Sequence, residues 1–136
     1  MTYRPGGARY VAYGVALILV LLTVVIGVAL PPEITFTVFE LITLALILGA
    51  ALAMLHGVGR SRVIADAHGL QVRNGYRDHH IGWGDVVGFS MNTGAPWPTV
   101  VTVDDQRVML FAIQGTDGRR ARVAVDDLRQ RLASHR

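Results

Sequence analysis

The residues best able to do chemistry in this chain are few and scattered. Asp78-His79-His80 carries side chains that ligate metals. Adjacent side chains on a strand point to opposite faces, so His79 and His80 cannot grip one ion together. Asp78 and His80 share a face, but a third ligand is missing nearby. Asp104 and Asp105 suit turn chemistry better than acid–base work. Ser61, Ser90 and Ser134 lack the flanking glycines of a hydrolase elbow. No nucleotide-binding glycine pattern occurs, and Gly57 and Gly59 have neither a preceding strand nor a following Lys. The chain contains no Cys, which removes disulfides, Cys-based zinc sites and thiol catalysis. The expectation is a protein that is not an enzyme, with no cofactor, no metal and no identifiable small-molecule substrate.

The elements that must position any site are read from how charge is distributed. The chain of 136 residues is 51% hydrophobic and 17% charged, but the charges are segregated. Residues 11–55 hold only Glu33 and Glu40. Val11–Leu30 is an uncharged run of twenty residues, and Phe36–Leu55 is a second, broken only by Glu40. At about 1.5 Å per residue each matches a bilayer core of roughly 30 Å. Pro31-Pro32-Glu33 leaves room for a tight reversal. The first run is too long for a secretory leader and a second span follows at once. The reading is a two-span antiparallel hairpin over residues 10–56, after a short tail at 1–9.

All thirteen basic residues are Arg. Arg4 and Arg9 flank the first span, Arg60 and Arg62 the second, and the loop between has none. The positive-inside rule then puts both termini in the cytoplasm of a cell whose inner membrane holds the hairpin. Ala45, Gly49 and Ala53 stand four apart, and Gly27 shares a small-residue face with Ala12, Ala16 and Thr23. Such stripes serve packing between the two spans or contact with an oligomer or partner helix. Glu40 is the one charge inside a span. It lies about one turn from the outer end, so its carboxylate can reach the headgroups without any transport role.

From Arg62 the period changes to that of strands. Segments at 62–67, 70–73, 77–83, 85–91, 99–103 and 107–113 are separated by turn residues, with the Asn74-Gly75 hairpin signal the strongest. Val125, Leu128 and Leu132 then define one face of a helix, with Asp126 and Asp127 expected in its first turn. Six strands and a closing helix suggest a small barrel plugged at one end. Ten Arg against eight Asp over residues 61–136 is a mixed surface rather than a nucleic-acid stripe.

The string Val63-Ile64-Ala65-Asp66-Ala67-His68-Gly69-Leu70-Gln71-Val72-Arg73, with Ile81-Gly82-Trp83-Gly84-Asp85-Val86-Val87-Gly88-Phe89, resembles the bacterial pleckstrin-homology (PH) domain membrane proteins of actinobacteria. Asp105-Gln106-Arg107-Val108-Met109-Leu110 and the helix around Leu128 fit as well, so the resemblance covers about residues 9–135. It implies a two-span transmembrane α-hairpin followed by a small all-β PH-like barrel closed by a C-terminal helix, the domain occupying 61–136. It supplies no catalytic residues.

Eukaryotic lipid-binding PH domains carry a basic cluster in the first strands and their connecting loop. Here that loop, Asp66-Ala67-His68-Gly69, is not basic. Arg60 and Arg62 are placed to touch anionic headgroups simply by being juxtamembrane. Trp97, between Pro96 and Pro98, is either an exposed contact anchor or folded back onto the domain. Arg119, Arg120 and Arg122 form a second patch, for a partner or for solvent. The expected function is a non-catalytic membrane-anchored interaction module, a subunit or assembly and scaffold factor of a membrane protein complex or a homo-oligomer. The alternatives are an anionic-lipid surface module and a small transport-associated subunit using Glu40.

Overall fold

The computed structural model describes residues 1–136. Two helices open the fold, α1 at Gly7–Ala29 and α2 at Val38–Arg60, each of 23 residues and so about 35 Å long. Both are long and apolar enough to cross a membrane, with mean hydropathy of 2.8 and 2.4. Neither is a core helix of this protein, since 6% of the apolar window of α1 and none of that of α2 is buried. The two pack against each other as a hairpin. The helices run past the apolar runs at the Arg-bearing ends, because Gly7–Tyr10 and His56–Arg60 continue the backbone ladder although their side chains are polar or small.

Four strands form the first sheet, in the order β1 (Thr2–Tyr3), β2 (Arg62–Ala65), β3 (Gly69–Asn74) and β4 (Arg77–Gly82). Three form the second, β5 (Val86–Ser90), β6 (Thr99–Thr102) and β7 (Arg107–Met109). Every pairing is antiparallel. The N-terminal segment, expected as a tail, thus adds an edge strand: Thr2 pairs with Ile64 and Tyr3 with Val63. A closing helix, α3, spans Arg119–Ser134 and lies against β5.

The expected closed barrel is not what the strands make. The chain turns from one sheet to the other through a single 3-10 turn at Trp83–Asp85, and no ladder joins the two sheets. Strand β7 ends at Met109, short of the expected Ile113, because Leu110, Ala112 and Ile113 turn inward and are buried. Alternation alone could not show that three apolar residues would leave the sheet to fill the core. One cluster of sixteen buried residues joins both sheets and α3, with Leu70, Val100, Leu110 and Leu128 fully enclosed. The core therefore lies wholly within residues 63–132.

Helix α3 begins seven residues before Asp126. Ala121 extends the buried face of Val125, Leu128 and Leu132 back by one turn, and Gly118 starts the helix at positive φ. Asp126 and Asp127 are therefore interior, where they pair with Arg129 and Arg131 at 3.1 and 2.9 Å. The first turn holds Arg119, Arg120 and Arg122 instead, which the helix dipole does not favour.

Candidate functional site

The junction between helical hairpin and domain is where side chains from distant segments meet. Strands β3 and β4 are joined by a two-residue loop, Gly75-Tyr76, since Asn74 pairs with Arg77. Gly75 has φ of 62°, which only the first loop position needs in this turn. The loop is one residue later than the Asn74-Gly75 reading, and this frees Asn74 for another task. Its Nδ2 donates to the Met109 carbonyl at 2.6 Å and its Oδ1 accepts from the Phe111 N–H at 3.3 Å. One amide thus ties the sheets together where no ladder does.

The loop tip is clamped onto the last turns of α2. The Tyr76 hydroxyl donates to the Ala53 carbonyl at 2.6 Å. The buried Ser61 hydroxyl donates to the Gly57 carbonyl at 3.2 Å and accepts from the Gly75 N–H at 3.0 Å. Arg60 lies over the Tyr76 ring, 5.1 Å from its centroid. Gly57 lets the ring pack closely, since a Cβ there would stand 3.0 Å from Cε2 of Tyr76.

Beside this clamp is a cleft of about 750 Å³. Its apolar wall holds Met54 and Val58 from α2 with Trp97, Met109 and Phe111 from the domain; Arg77 and Arg107 add positive charge. Trp97 is half-buried and sits edge-on to Phe111, with ring centroids 4.7 Å apart. It is thus folded against the domain and still lines the cleft. Arg60 and Arg62 line a different pocket, together with Arg4, Arg9 and Arg73. Arg119, Arg120 and Arg122 are exposed on α3, away from both.

Glu40 closes a capping box. Its carboxylate accepts from the Thr37 N–H at 2.8 Å and from the Thr37 hydroxyl at 2.9 Å, while its own N–H donates to Thr37 Oγ at 3.3 Å. The Thr-x-x-Glu spacing just before an apolar run was the signal for this, and hydropathy reading passed over it. A Cβ added at Gly27 or Gly49 would meet nothing within 4 Å, so these two face outward from the hairpin. Ala45 and Ala53 are exposed on α2 as well.

Four of the eight acidic side chains of the domain, Asp66, Asp78, Asp126 and Asp127, are engaged by neighbours. Asp66 accepts from the His68 and Gly69 N–H groups at 2.8 and 3.0 Å, which hold its carboxyl below the usual range. Arg73 grips Asp78 in a bidentate pair at 2.7 and 3.0 Å, and lowers it likewise. His79 alternates with buried Ile81 on the inner face of β4, whereas Asp78 and His80 are exposed. Asp127 receives the Tyr3 hydroxyl and the Arg131 guanidinium, both of which hold its carboxyl low. Burial first, then Asp127, pushes Tyr3 up to about 12.

Trp83 occupies the corner between the sheets. It is buried, donates its indole N–H to the Asp66 carbonyl at 2.8 Å and stacks on His135 at 5.0 Å. Two antiparallel sheets around one core, a corner Trp and a closing helix define a PH-like domain behind an apolar helical hairpin. Residues 60–131 match the bacterial PH domain family, and the chain belongs to that family. It is similar to an uncharacterised protein of Mycobacterium tuberculosis, 31% identical over 139 aligned residues that cover 98% of this chain and 88% of the relative. An uncharacterised protein of Mycobacterium bovis matches at the same identity and coverage. No solved structure matches the chain.

Proposed function

We propose that the chain is a non-catalytic docking module of the inner membrane. In this reading α1 and α2 span the bilayer, both termini and the PH-like domain lie in the cytoplasm, and the domain holds a partner protein at the membrane face. The partner belongs to a membrane complex of which this chain is a subunit or assembly factor. The observation that carries the reading is the cleft beside the α2 clamp. Its walls come from both the helix end and the domain, so one partner segment can contact both at once. Arg77 and Arg107 fit an acidic, partly apolar juxtamembrane segment, and Trp97 and Phe111 give it an aromatic anchor.

Placement of Arg4, Arg9, Arg60 and Arg62 supports the orientation. The non-catalytic reading is supported by how the carboxylates are used: Asp66 in a turn, Asp78 with Arg73, Asp127 with Tyr3 and Arg131. The Thr37 cap on Glu40 argues against a transport role for that residue.

The test is a photo-crosslinking residue at position 109 in the full chain, in cells, followed by purification in mild detergent. A stoichiometric membrane-protein adduct is expected, lost when Arg77→Glu and Arg107→Glu are combined. Clean recovery of this chain alone would count against the docking role. A C-terminal reporter active only in the periplasm would reverse the orientation.

A further inference from the structure

Five arginines line one pocket at the Arg-bearing end of the helical hairpin. Arg4 precedes α1, Arg9 stands in its first turn, Arg60 ends α2, and Arg62 and Arg73 lie on β2 and β3. The pocket measures about 210 Å³, and no carboxylate lines it. Arg9, Arg60, Arg62 and Arg73 are half-buried. Arg73 alone has an ionic partner, Asp78; Arg4, Arg9, Arg60 and Arg62 form no ion pair within the chain.

The strand register makes the arrangement sharper. Arg62 stands directly opposite Arg73 across the β2–β3 ladder. Like charges facing each other across antiparallel strands are destabilising. Asp78 offsets one charge of this pair and also feels Arg60, but half-buried Arg9 and Arg60 and exposed Arg4 bring three further guanidiniums to the pocket, and a bound anion relieves the remaining repulsion. A guanidinium fork matches phosphate oxygens bidentately, and several forks converging from different elements suit one multidentate oxyanion.

Position decides which anion. The pocket is walled by the first turns of α1 and the last residue of α2, with Tyr13 at its side. That is the level at which two spanning helices leave the hydrocarbon for the headgroup layer. It lies at the opposite end of the β2–β3 ladder from the Asp66–Gly69 turn. We propose that this pocket binds the phosphate of an anionic phospholipid headgroup. The assignment rests on the membrane-spanning reading above, and it concerns a pocket that adjoins the partner cleft, with Ser61 lining both.

The experiment uses the full chain in mild detergent, with phosphatidylglycerol and phosphatidylcholine titrated separately and bound lipid counted by native mass spectrometry. Phosphatidylglycerol is expected to bind in preference. Arg4→Gln with Arg62→Gln is expected to weaken it by about thirtyfold, leaving phosphatidylcholine unchanged; Arg9 and Arg60 are kept so that each span retains one flanking Arg. Arg4→Lys with Arg62→Lys, which retains the charge without the fork, should recover part of the loss. Arg119→Gln with Arg120→Gln removes equal charge from α3 and should change nothing. An equal loss from both Gln pairs would reduce the effect to bulk charge and overturn the site. Glycerol 3-phosphate binding as tightly as the intact lipid would assign the pocket to a soluble phosphate and overturn the lipid source. Unchanged lipid binding, with partner crosslinks lost instead, would give these arginines to a protein contact. Carbonate washing of membranes reads the spanning helices separately: a chain that washes off contradicts the spans, whatever the lipid result.

Discussion

The Tyr13 ring of α1 lies directly over Gly59 of α2, so close that a Cβ at Gly59 would stand 2.6 Å from its Cε2. The same Tyr13 hydroxyl is 3.2 Å from Nδ1 of His56. This is the tight point of the helical hairpin, and it lies at the end that carries the domain. Gly59→Ala is expected to displace the ring and break the His56 contact, costing about 1–3 kcal/mol of local stability. Combining it with Tyr13→Ala should return much of that cost. Hydrogen exchange at the Arg-bearing ends of α1 and α2, read as a double-mutant cycle, measures the coupling. Additive effects of the two changes would refute the contact.

Gly69 is needed for a different reason. A Cβ there would lie 2.2 Å from the Ile81 carbonyl oxygen, which is backbone and cannot rotate away. Gly69→Ala is therefore expected to destabilise the PH-like domain by about 3 kcal/mol. The unfolding transition of the sheets should fall while the helical signal of α1 and α2 persists. A domain that melts at its original temperature would contradict the close approach of β3 and β4.

Asn74 substitutes for a missing ladder between the two sheets. Asn74→Ala leaves the Met109 carbonyl and the Phe111 N–H without their partner and should cost about 2 kcal/mol. Asn74→Asp keeps the acceptor for Phe111 but sets a carboxylate oxygen against the Met109 carbonyl, so it should cost more than Asn74→Ala. Chemical denaturation of the full chain in detergent checks this order. An Asp variant as stable as the original chain would refute the bond to Met109.

The Tyr3–Asp127–Arg131 cluster makes stability depend on pH at both ends of the scale. Asp127 is held below the unfolded carboxylate value of about 4. Its contribution is full above that value and is lost as pH falls through the lowered one. Tyr3 is raised from an ordinary value of about 10 to about 12. Its contribution is full below about pH 10 and is lost as pH rises through about 12. Tyr3→Phe should cost about 1 kcal/mol at neutral pH, abolish the alkaline limb that Tyr3 supplies and shallow the acid one. Thermal unfolding against pH for both proteins measures it, and superimposable profiles would show the hydroxyl to be inert.

Much of the architecture was legible because it repeats along the chain. Two apolar runs about Pro31-Pro32, alternation from Arg62 onward and the i, i+3, i+7 face of Val125, Leu128 and Leu132 all survive in the structure. The errors occur where local pattern competes with packing. Alternation extends β7 to Ile113, but the core takes Leu110, Ala112 and Ile113 out of the sheet. Acidic residues at 126–127 look like a helix start, but Ala121 is apolar and small enough for the buried face to begin a turn earlier. Asn74-Gly75 reads as a loop pair until Asn74 is found bridging the sheets.

Hydropathy and turn chemistry act between near neighbours, so an apolar hairpin whose residues 11–55 hold only Glu33 and Glu40, followed by a β-rich domain with a final helix, is legible from the chain alone. The sequence could also place Arg60 and Arg62 beside an apolar run. That Arg4, Arg9 and Arg73 join them in one pocket, that Tyr13 covers Gly59, and that Trp97 leans on Phe111 beside a cleft emerges only when the chain is folded. The physical reason is range: repulsion among guanidiniums and contact between rings depend on distance through space. That distance is set when α2 returns along α1 and β2 pairs with β3.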